Sequence, residues 1–491
     1  MITMTPNDFL YLGPLAILTI VGLLLVVAEA FATGARRQFL MQLTVAGCVM
    51  SMLAAIATWR SLAPGQSVSA FSGMLVADRM GMFLIALFSG TTACVAMLSA
   101  AHQREHQWEV GEIFGLMLLA TAGMAMIAMA GDMVTIFIGI ETMSLAVYVM
   151  TAAKRRSRAG TVGAMKYFLM GAFASGFLVY GMALLYGATG TTNLEGIRMA
   201  LATSESSPLA VVAIFLLLVA FGFKIAAIPF HMWAPDAYEG APTPVTAFMA
   251  AAVKTAAFAG IIRVFVGALG GDVVPFGPMG WASILASIAA VTMTVGNIAA
   301  LRQNNIKRML AYSSVAHAGV LLVGIITAGI EPSGEGLSSV LFYLLAYSVT
   351  TVGAFAVVTW IGDRDRERVL ISDWYGLAAA KPAAALVMTL FMLSFAGIPP
   401  TAGFFGKFVI FKSALMAQDQ QLLWLVIVGV LNSMVSIYYY LKVVMAMYFR
   451  EATGEFKPVS SGALTFVLVL CAILVLQMGM MPTRWLSYLG V

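Results

Sequence analysis

Five ionisable side chains lie where membrane chains seldom carry them. Lys166, Lys224, Lys254 and Lys407 each fall inside an apolar stretch, and Glu141 lies in TIFIGIETMSLAVYVM. A lysine at the centre of a membrane helix costs roughly 2.5–3.5 kcal/mol on insertion scales, so it marks an ion path, a buried pair or a side chain reaching the interface. Burial disfavours the charged ammonium and a nearby carboxylate favours it. A Glu141–lysine contact that forms and breaks would therefore switch a lysine between holding and releasing a proton. His317, with Ser313 and Ser314 in LAYSSVAHAGVLL, is a candidate to pass that proton on. Moving one charge across the membrane potential costs about 2.3 kcal/mol per 100 mV, so such a relay needs a partner reaction or an ion gradient to drive it.

Each group also has a plainer reading. Lys166 lies only about five residues into its span and can snorkel to the interface. Glu141 could be a structural carboxylate paired with a lysine, and His317 serves equally in packing or helix–helix hydrogen bonding. His231, in IPFHMWAP, reads as structural or as lying near the cytoplasmic mouth of a path. His102 and His106 are loop residues with only a superficial metal spacing. Cys48, Cys94 and Cys471 lie in apolar stretches at no metal spacing and read as buried small hydrophobes.

The elements that hold these residues are membrane helices. The chain has 491 residues, 61% hydrophobic and 10% charged, with a mean hydropathy of +0.95. That excludes a soluble domain and predicts an all-α polytopic membrane protein. Fourteen spans are expected, at about 9–31, 38–58, 79–101, 111–130, 132–153, 161–187, 209–233, 243–268, 279–301, 308–330, 337–361, 382–411, 422–447 and 462–482. The first is too long for a signal-peptide core and is expected to stay as a helix. The net charge of +5 does not indicate nucleic acid, because the basic residues are sorted by loop. Sixteen Lys and Arg lie near loops after odd-numbered spans, among them Arg36, Arg37, Lys154, Arg155, Arg156, Arg302, Lys307, Arg308, Arg364, Arg366 and Lys457. Six lie on the other side, including Arg79, Arg263 and Lys412. The positive-inside rule then places both termini outside.

Prolines break two of these spans. Pro229 follows Lys224, and its ring clashes with the carbonyl four residues back. Pro399 and Pro400 precede Lys407. Paired broken helices point to an inverted repeat of five spans each, at 111–268 and 279–447, after a three-helix segment at 1–110 and before a C-terminal helix at 448–491. Polar stripes run along three spans: Glu141, Ser144 and Tyr148; Ser313, Ser314 and His317; Asn432, Ser436 and Tyr439. At membrane depth they are expected to face one another or water. There is no GxGxxG before a helix, no Walker A, no CxxC cluster and no bis-His haem spacing, so no cofactor is expected in this chain.

The stretches FKIAAIPFHMWAPDAYEGAPTPVTAFMAAAVKTAAF, AMKYFLMGAFASGFLVYGMALLYGATGTTNL, RMLAYSSVAHAGVLL and AGIPPTAGFFGKFVIF closely resemble the antiporter-like subunit N family of respiratory complex I. The resemblance covers essentially the whole chain. It implies two inverted five-helix bundles and a proton-translocating role driven by quinone reduction in partner subunits. It matches Glu141 and Lys224 to a glutamate–lysine pair, Lys254 to a central lysine and His317 to the hydrophilic axis. It matches Lys407 to an exit lysine and Lys166 to a sixth-span lysine. NADH, FMN, iron–sulfur clusters and quinone would belong to partner subunits; the partners would be other membrane-arm subunits within the bacterial inner membrane, with no nucleic acid. Where the related subunits L and M and the Mrp-type antiporters usually carry a histidine-bearing segment after PTPVSA, this chain reads PVTAFMAAAVK. The long lateral C-terminal helix of subunit L is not expected here. The alternative is an Mrp-type secondary cation/proton antiporter subunit, and a third possibility is a chiefly structural link in the membrane arm.

Overall fold

The computed structural model describes residues 11–31, 37–106, 110–154, 157–203, 207–271, 280–331, 335–362, 367–417, 421–452, 456, 459 and 461–490. Arg36, Arg155, Arg156, Arg364, Arg366 and Lys457 lie outside the described residues, as does the side chain of Arg37.

The apolar runs form helices α1 (Gly13–Phe31), α2 (Arg37–Ser61), α3 (Arg79–Glu105), α4 (Glu112–Ala128), α5 (Met133–Thr151) and α6 (Arg158–Thr189). A short α7 (Leu194–Thr203) leads to α8 (Pro208–Lys224), α9 (Ala234–Gly240) and α10 (Thr243–Ala268). Then come α11 (Trp281–Leu301), α12 (Ile306–Ile330), α13 (Glu335–Trp360), α14 (Pro382–Ala396), α15 (Ala402–Met416), α16 (Leu423–Phe449), α17 (Gly462–Met480) and α18 (Pro482–Leu489). Eleven of these helices are long and apolar enough to cross a membrane. The expected count of fourteen therefore needs qualifying. The fourth, seventh and twelfth expected spans are occupied by the shorter apolar helices α4, α8 and α14. Two of them are short because they are broken: α8 stops at Lys224, five residues before Pro229, and α14 stops at Ala396, ahead of Pro399–Pro400. A two-stranded hairpin, Ser67–Ala70 with Leu75–Asp78, was not announced by the hydropathy pattern.

The helices sort by what they carry. α10, α12 and α13 are buried almost throughout, whereas α1, α2, α6 and α16 turn most of their surface outward. The inner three carry Lys254, His317 and Tyr343. The bare backbones of α4 and α5 approach at two glycines. A Cβ at Gly123 would lie 2.7 Å from the Gly139 carbonyl oxygen, and one at Gly139 2.8 Å from that of Gly123. Without a hydrophobic force between helices in lipid, such close approach is what van der Waals packing needs.

The break in α8 leaves backbone groups without helical partners, and side chains satisfy several of them. Trp233 Nε1 donates to the Phe223 carbonyl at 3.1 Å, and Thr292 Oγ1 accepts from Ile228 N at 3.0 Å. At the second break Gly397 takes φ +80°, a conformation that favours glycine, and closes α14.

Overpacking the α4–α5 contact is expected to cost about 1–3 kcal/mol. Gly139→Leu should therefore lower the thermal transition of the purified protein, and an unchanged transition would show that the close approach is dispensable.

Candidate functional site

Three lysines lie buried along the middle of the bundle, and each finds a neutral oxygen. Lys224, the last residue of α8, donates from Nζ to Ser144 Oγ on α5 at 2.9 Å. Lys254, on α10, donates to the carbonyl oxygen and Oγ of Ser314 on α12 at 2.7 and 2.6 Å. Wider π-type turns at Met249–Val253 and Ile262–Ala268 flank it, a feature frequent at functional sites. Lys407, on α15, donates to the carbonyl oxygens of Phe395 and Ala396 at 2.9 and 3.3 Å. Those are the last carbonyls of α14, so the ammonium caps a half-helix at its negative end.

Glu141 accepts from Ser175 Oγ on α6. The family resemblance pairs Glu141 with Lys224, but here each takes a serine hydroxyl instead. Ser144 stands one turn beyond Glu141 on the same face of α5, so its hydroxyl meets the lysine. His317 is buried on α12 between two phenols. Its Nδ1 lies 2.5 Å from Tyr343 Oη and its Nε2 lies 2.9 Å from Tyr440 Oη. Tyr440 Oη also bonds Ser313 Oγ. The stripe on α16 meets α11, where Asn297 Nδ2 donates to Asn432 Oδ1 at 3.1 Å and Tyr439 donates to Asn297 Oδ1 at 2.9 Å. A narrow cavity lined by His317, Lys407, Asn432 and Ser436 joins these groups. The stripes on α12 and α16 meet through Tyr440 and the shared cavity, whereas that on α5 meets α6 and α8 through Ser175 and Lys224.

Lys166 stands apart from this line. Half exposed, it binds Asp236 on α9, which also accepts from Arg308 Nη1 at 2.7 Å. Arg308 reaches Glu239 at 2.7 Å as well. Burial pushes the Asp236 carboxyl up, but the hydrogen bonds from Lys166 and Arg308 outweigh it and hold it below its ordinary value.

A second cluster at the same end was not foreseen. Lys307, read from the sequence as a loop residue, is wholly buried in the first turn of α12. It donates to the Ala241 carbonyl oxygen and to Glu367 at 3.3 Å. His102 Nε2 lies 3.2 Å from the same carboxylate, which also accepts from Thr243 N at 3.4 Å. One glutamate thus joins the end of α3, the start of α10 and the start of α12. Burial pushes the Glu367 carboxyl up, but the charge of Lys307 and the bond to His102 prevail and hold it well below the usual glutamate range. At the opposite end Arg263 makes a bidentate pair with Asp78, at 2.6 and 2.8 Å, and Asp78 also caps α3 through Gly81 N.

A buried line of lysines crossing broken helices defines an antiporter-like membrane subunit. Residues 130–436 match the NADH:quinone oxidoreductase/Mrp antiporter transmembrane family. The chain is 42% identical to NADH-quinone oxidoreductase subunit N 1 of Sorangium cellulosum, over 98% of this chain and 97% of that one. It is 32% identical to a chain of respiratory complex I from Thermus thermophilus with bound aureothin, with a TM-score of 0.81 over 97% and 99% of the two chains. A chain of the Mrp complex from Dietzia sp. DQ12-45-1b shares the fold, with a TM-score of 0.83 at 23% identity over 99% and 97%. The chain belongs to the NADH-quinone oxidoreductase subunit N family and is a multi-pass membrane protein.

Removing one partner of a buried ion pair leaves an uncompensated charge and costs about 3–5 kcal/mol. Glu367→Ala, which strands Lys307, should therefore destabilise the protein by that order, and Glu367→Gln, which keeps an acceptor, by clearly less. Thermal unfolding of both variants at pH 7 checks this; equal losses would refute the role of Lys307. The folded Glu367 and Asp236 carboxyls titrate below their unfolded counterparts. Their contribution is therefore complete above the unfolded carboxylate range, near about pH 4–4.5, and is lost as pH falls through the folded values. Transition temperatures measured across pH 8 to 3 should show the Glu367→Gln deficit constant down to about pH 5 and shrinking only in more acid solution.

Proposed function

We propose that this chain is a proton-translocating membrane-arm subunit of an NADH:quinone oxidoreductase, working among other membrane-arm subunits. The observation that carries the reading is the line of three buried lysines, each bonded to a neutral oxygen on a neighbouring element. Full-length identity of 42% to a subunit N relative supports the complex I assignment over an Mrp-type antiporter, where the structure compared is 23% identical. On this reading the chain is the translocating part of an enzyme. NADH, FMN, iron–sulfur clusters and quinone belong to partner subunits. The cluster-bearing end, with its basic loops, faces the cytoplasm by the positive-inside rule, and both termini lie on the outer face of the inner membrane. Residues 111–268 and 279–447 act as inverted halves, each with one broken helix.

A proton held as an ammonium on Lys224 is stabilised when Glu141 approaches and released when it withdraws. Ser144, already bonded to the lysine, leaves that carboxylate free to come and go. Lys254 receives the proton at the middle of the bundle and holds it against Ser314. His317 carries it toward Lys407, whose ammonium is stabilised by the carbonyl end of α14. Lys166, in its exposed pair with Asp236, stands at the cytoplasmic mouth of the path. Helix movements linked to quinone reduction would set which contact is made at each stage.

Lys224→Ala and Lys254→Ala are each expected to reduce NADH-driven proton pumping in membrane vesicles by about tenfold or more, in the range of a lost proton-transfer group. NADH oxidation by an artificial acceptor should persist, and native gels should show assembled complex. Normal pumping by assembled complexes carrying either variant would overturn the relay.

A further inference from the structure

The two tyrosines around His317 are assigned no part by the family resemblance, yet their geometry is specific. A neutral imidazole has one N–H and one lone pair. With a phenol on each nitrogen, one tyrosine must accept from the ring while the other donates to it. The bond from Tyr440 to Ser313 extends the row to four groups on three helices: Tyr343 on α13, His317 and Ser313 on α12, and Tyr440 on α16. All four are buried. A structural histidine needs its polar atoms satisfied, but a continuous row of groups that each donate and accept does more than that. Such a row passes a proton without leaving a charge on any member.

The contact of Tyr343 with the second broken helix is equally specific. A Cβ at Gly406 would lie 2.2 Å from Cδ2 of the Tyr343 ring, so the ring rests on the bare backbone of α15, one residue before Lys407. Phe395, from the end of α14, stacks on Tyr440 at 5.6 Å between ring centroids. Both phenols are thus held by the two halves of the helix that carries Lys407.

We propose that Tyr343, His317, Tyr440 and Ser313 form a proton wire whose two phenols are catalytic residues, seated by the broken α14–α15 helix. The inference rests on the relay reading and gives its middle section an atomic route. When a proton reaches Ser313 Oγ from the Lys254 side, that oxygen's own proton passes to Tyr440 Oη and the Tyr440 proton to His317 Nε2. The Nδ1 proton then passes to Tyr343 Oη, whose own proton leaves toward the neutral amine of Lys407. Each O–H or N–H bond formed matches one broken, and no electron moves. One passage exchanges the imidazole tautomer, so the next proton in that direction waits for the wire to reset. Movement of α15 against Tyr343 is then a means of making and breaking the wire.

The test uses the assembled complex in proteoliposomes, with NADH-driven pumping as readout. Tyr440→Phe and Tyr343→Phe each keep the ring and remove the hydroxyl, and each should lower pumping about tenfold or more, on the scale of a positioned proton-transfer group. Because a phenylalanine variant can fail to assemble, a trifluorotyrosine placed at position 440 keeps both shape and hydroxyl but is a stronger acid. It should shift the pH profile of pumping, which a packing role would not. The titratable groups facing His317 are Lys254, Lys407, Tyr343, Tyr347 and Tyr440. The Lys254→Ala complex is measured alongside. If Lys254→Ala abolishes pumping while both phenylalanine variants pump normally, or if the fluorinated complex keeps the native profile, the wire is overturned and the relay stands. If Lys254→Ala also pumps normally, the relay itself has failed.

Discussion

Desolvation of the ammonium group is the constraint on which the structure turns. Lys224, Lys254 and Lys407 are each buried at membrane depth, where an unsatisfied charge has no water to fall back on. Each therefore has to be met by oxygen atoms from another element. Straight helices supply few, because their carbonyls are consumed in the helical ladder. Breaking a helix frees them. α14 ends on Phe395 and Ala396, and these are the carbonyls that Lys407 takes. The same logic explains why α8 ends on Lys224 itself and why a tryptophan and a threonine attend the break. Proline and lysine are thus two parts of one device, the first releasing polar backbone and the second using it or lying beside it.

The halves of that device differed in how readily they were read from sequence. Pro229 and Pro399–Pro400 announced both breaks, because proline's missing N–H and its steric clash are local properties. The stripes on α5, α12 and α16 were also legible, since helical spacing alone places Ser313 near His317 and Asn432 near Ser436. What each stripe would meet was not. Tyr343 on α13 and Tyr440 on α16 reach His317 across separations of 26 and 123 residues, and no short pattern encodes such distances. Lys307 looked like one more basic loop residue because it follows Arg302 and precedes Arg308. Its complete burial depends on Glu367, sixty residues on, in a charged loop that reads as solvent-facing. The π-type turns beside Lys254 had no signal at all, because a widened turn is decided by packing rather than by residue type.

The two ends of the bundle also differ from its middle in what they ask of their charges. At one end Asp236, Glu239 and Glu367 gather Lys166, Arg308 and Lys307 around the starts of α10 and α12. At the other, Asp78 holds Arg263 near the end of α10. The helix that bears Lys254 is therefore fixed by carboxylates at both its ends. Its ends are tied to neighbouring elements by charged groups, while Lys254 in its middle meets the neutral oxygens of Ser314.

That contrast bears on whether the buried lysines are structural. A cation kept only for architecture is best served by a permanent carboxylate, which fixes its charge and its position, as at Lys307, Arg308 and Arg263. The three lysines in the middle have serine hydroxyls and backbone carbonyls instead. Those partners hold an ammonium by hydrogen bonding but carry no opposing charge. When the proton leaves, a neutral amine still donates to the same oxygens, and no carboxylate is stranded in the bilayer. Without a carboxylate partner, the charged form lacks the stabilisation that would hold the proton in place. Among the described residues the carboxylate that acts on Lys224 is Glu141, half-buried and bonded to a serine rather than to a lysine. A chain that needed these lysines as fixed posts would have paired them as it paired the cations at its ends. On the proposed relay, giving them neutral partners, and keeping one carboxylate at a short remove, is the arrangement that would let a proton be taken up and let go.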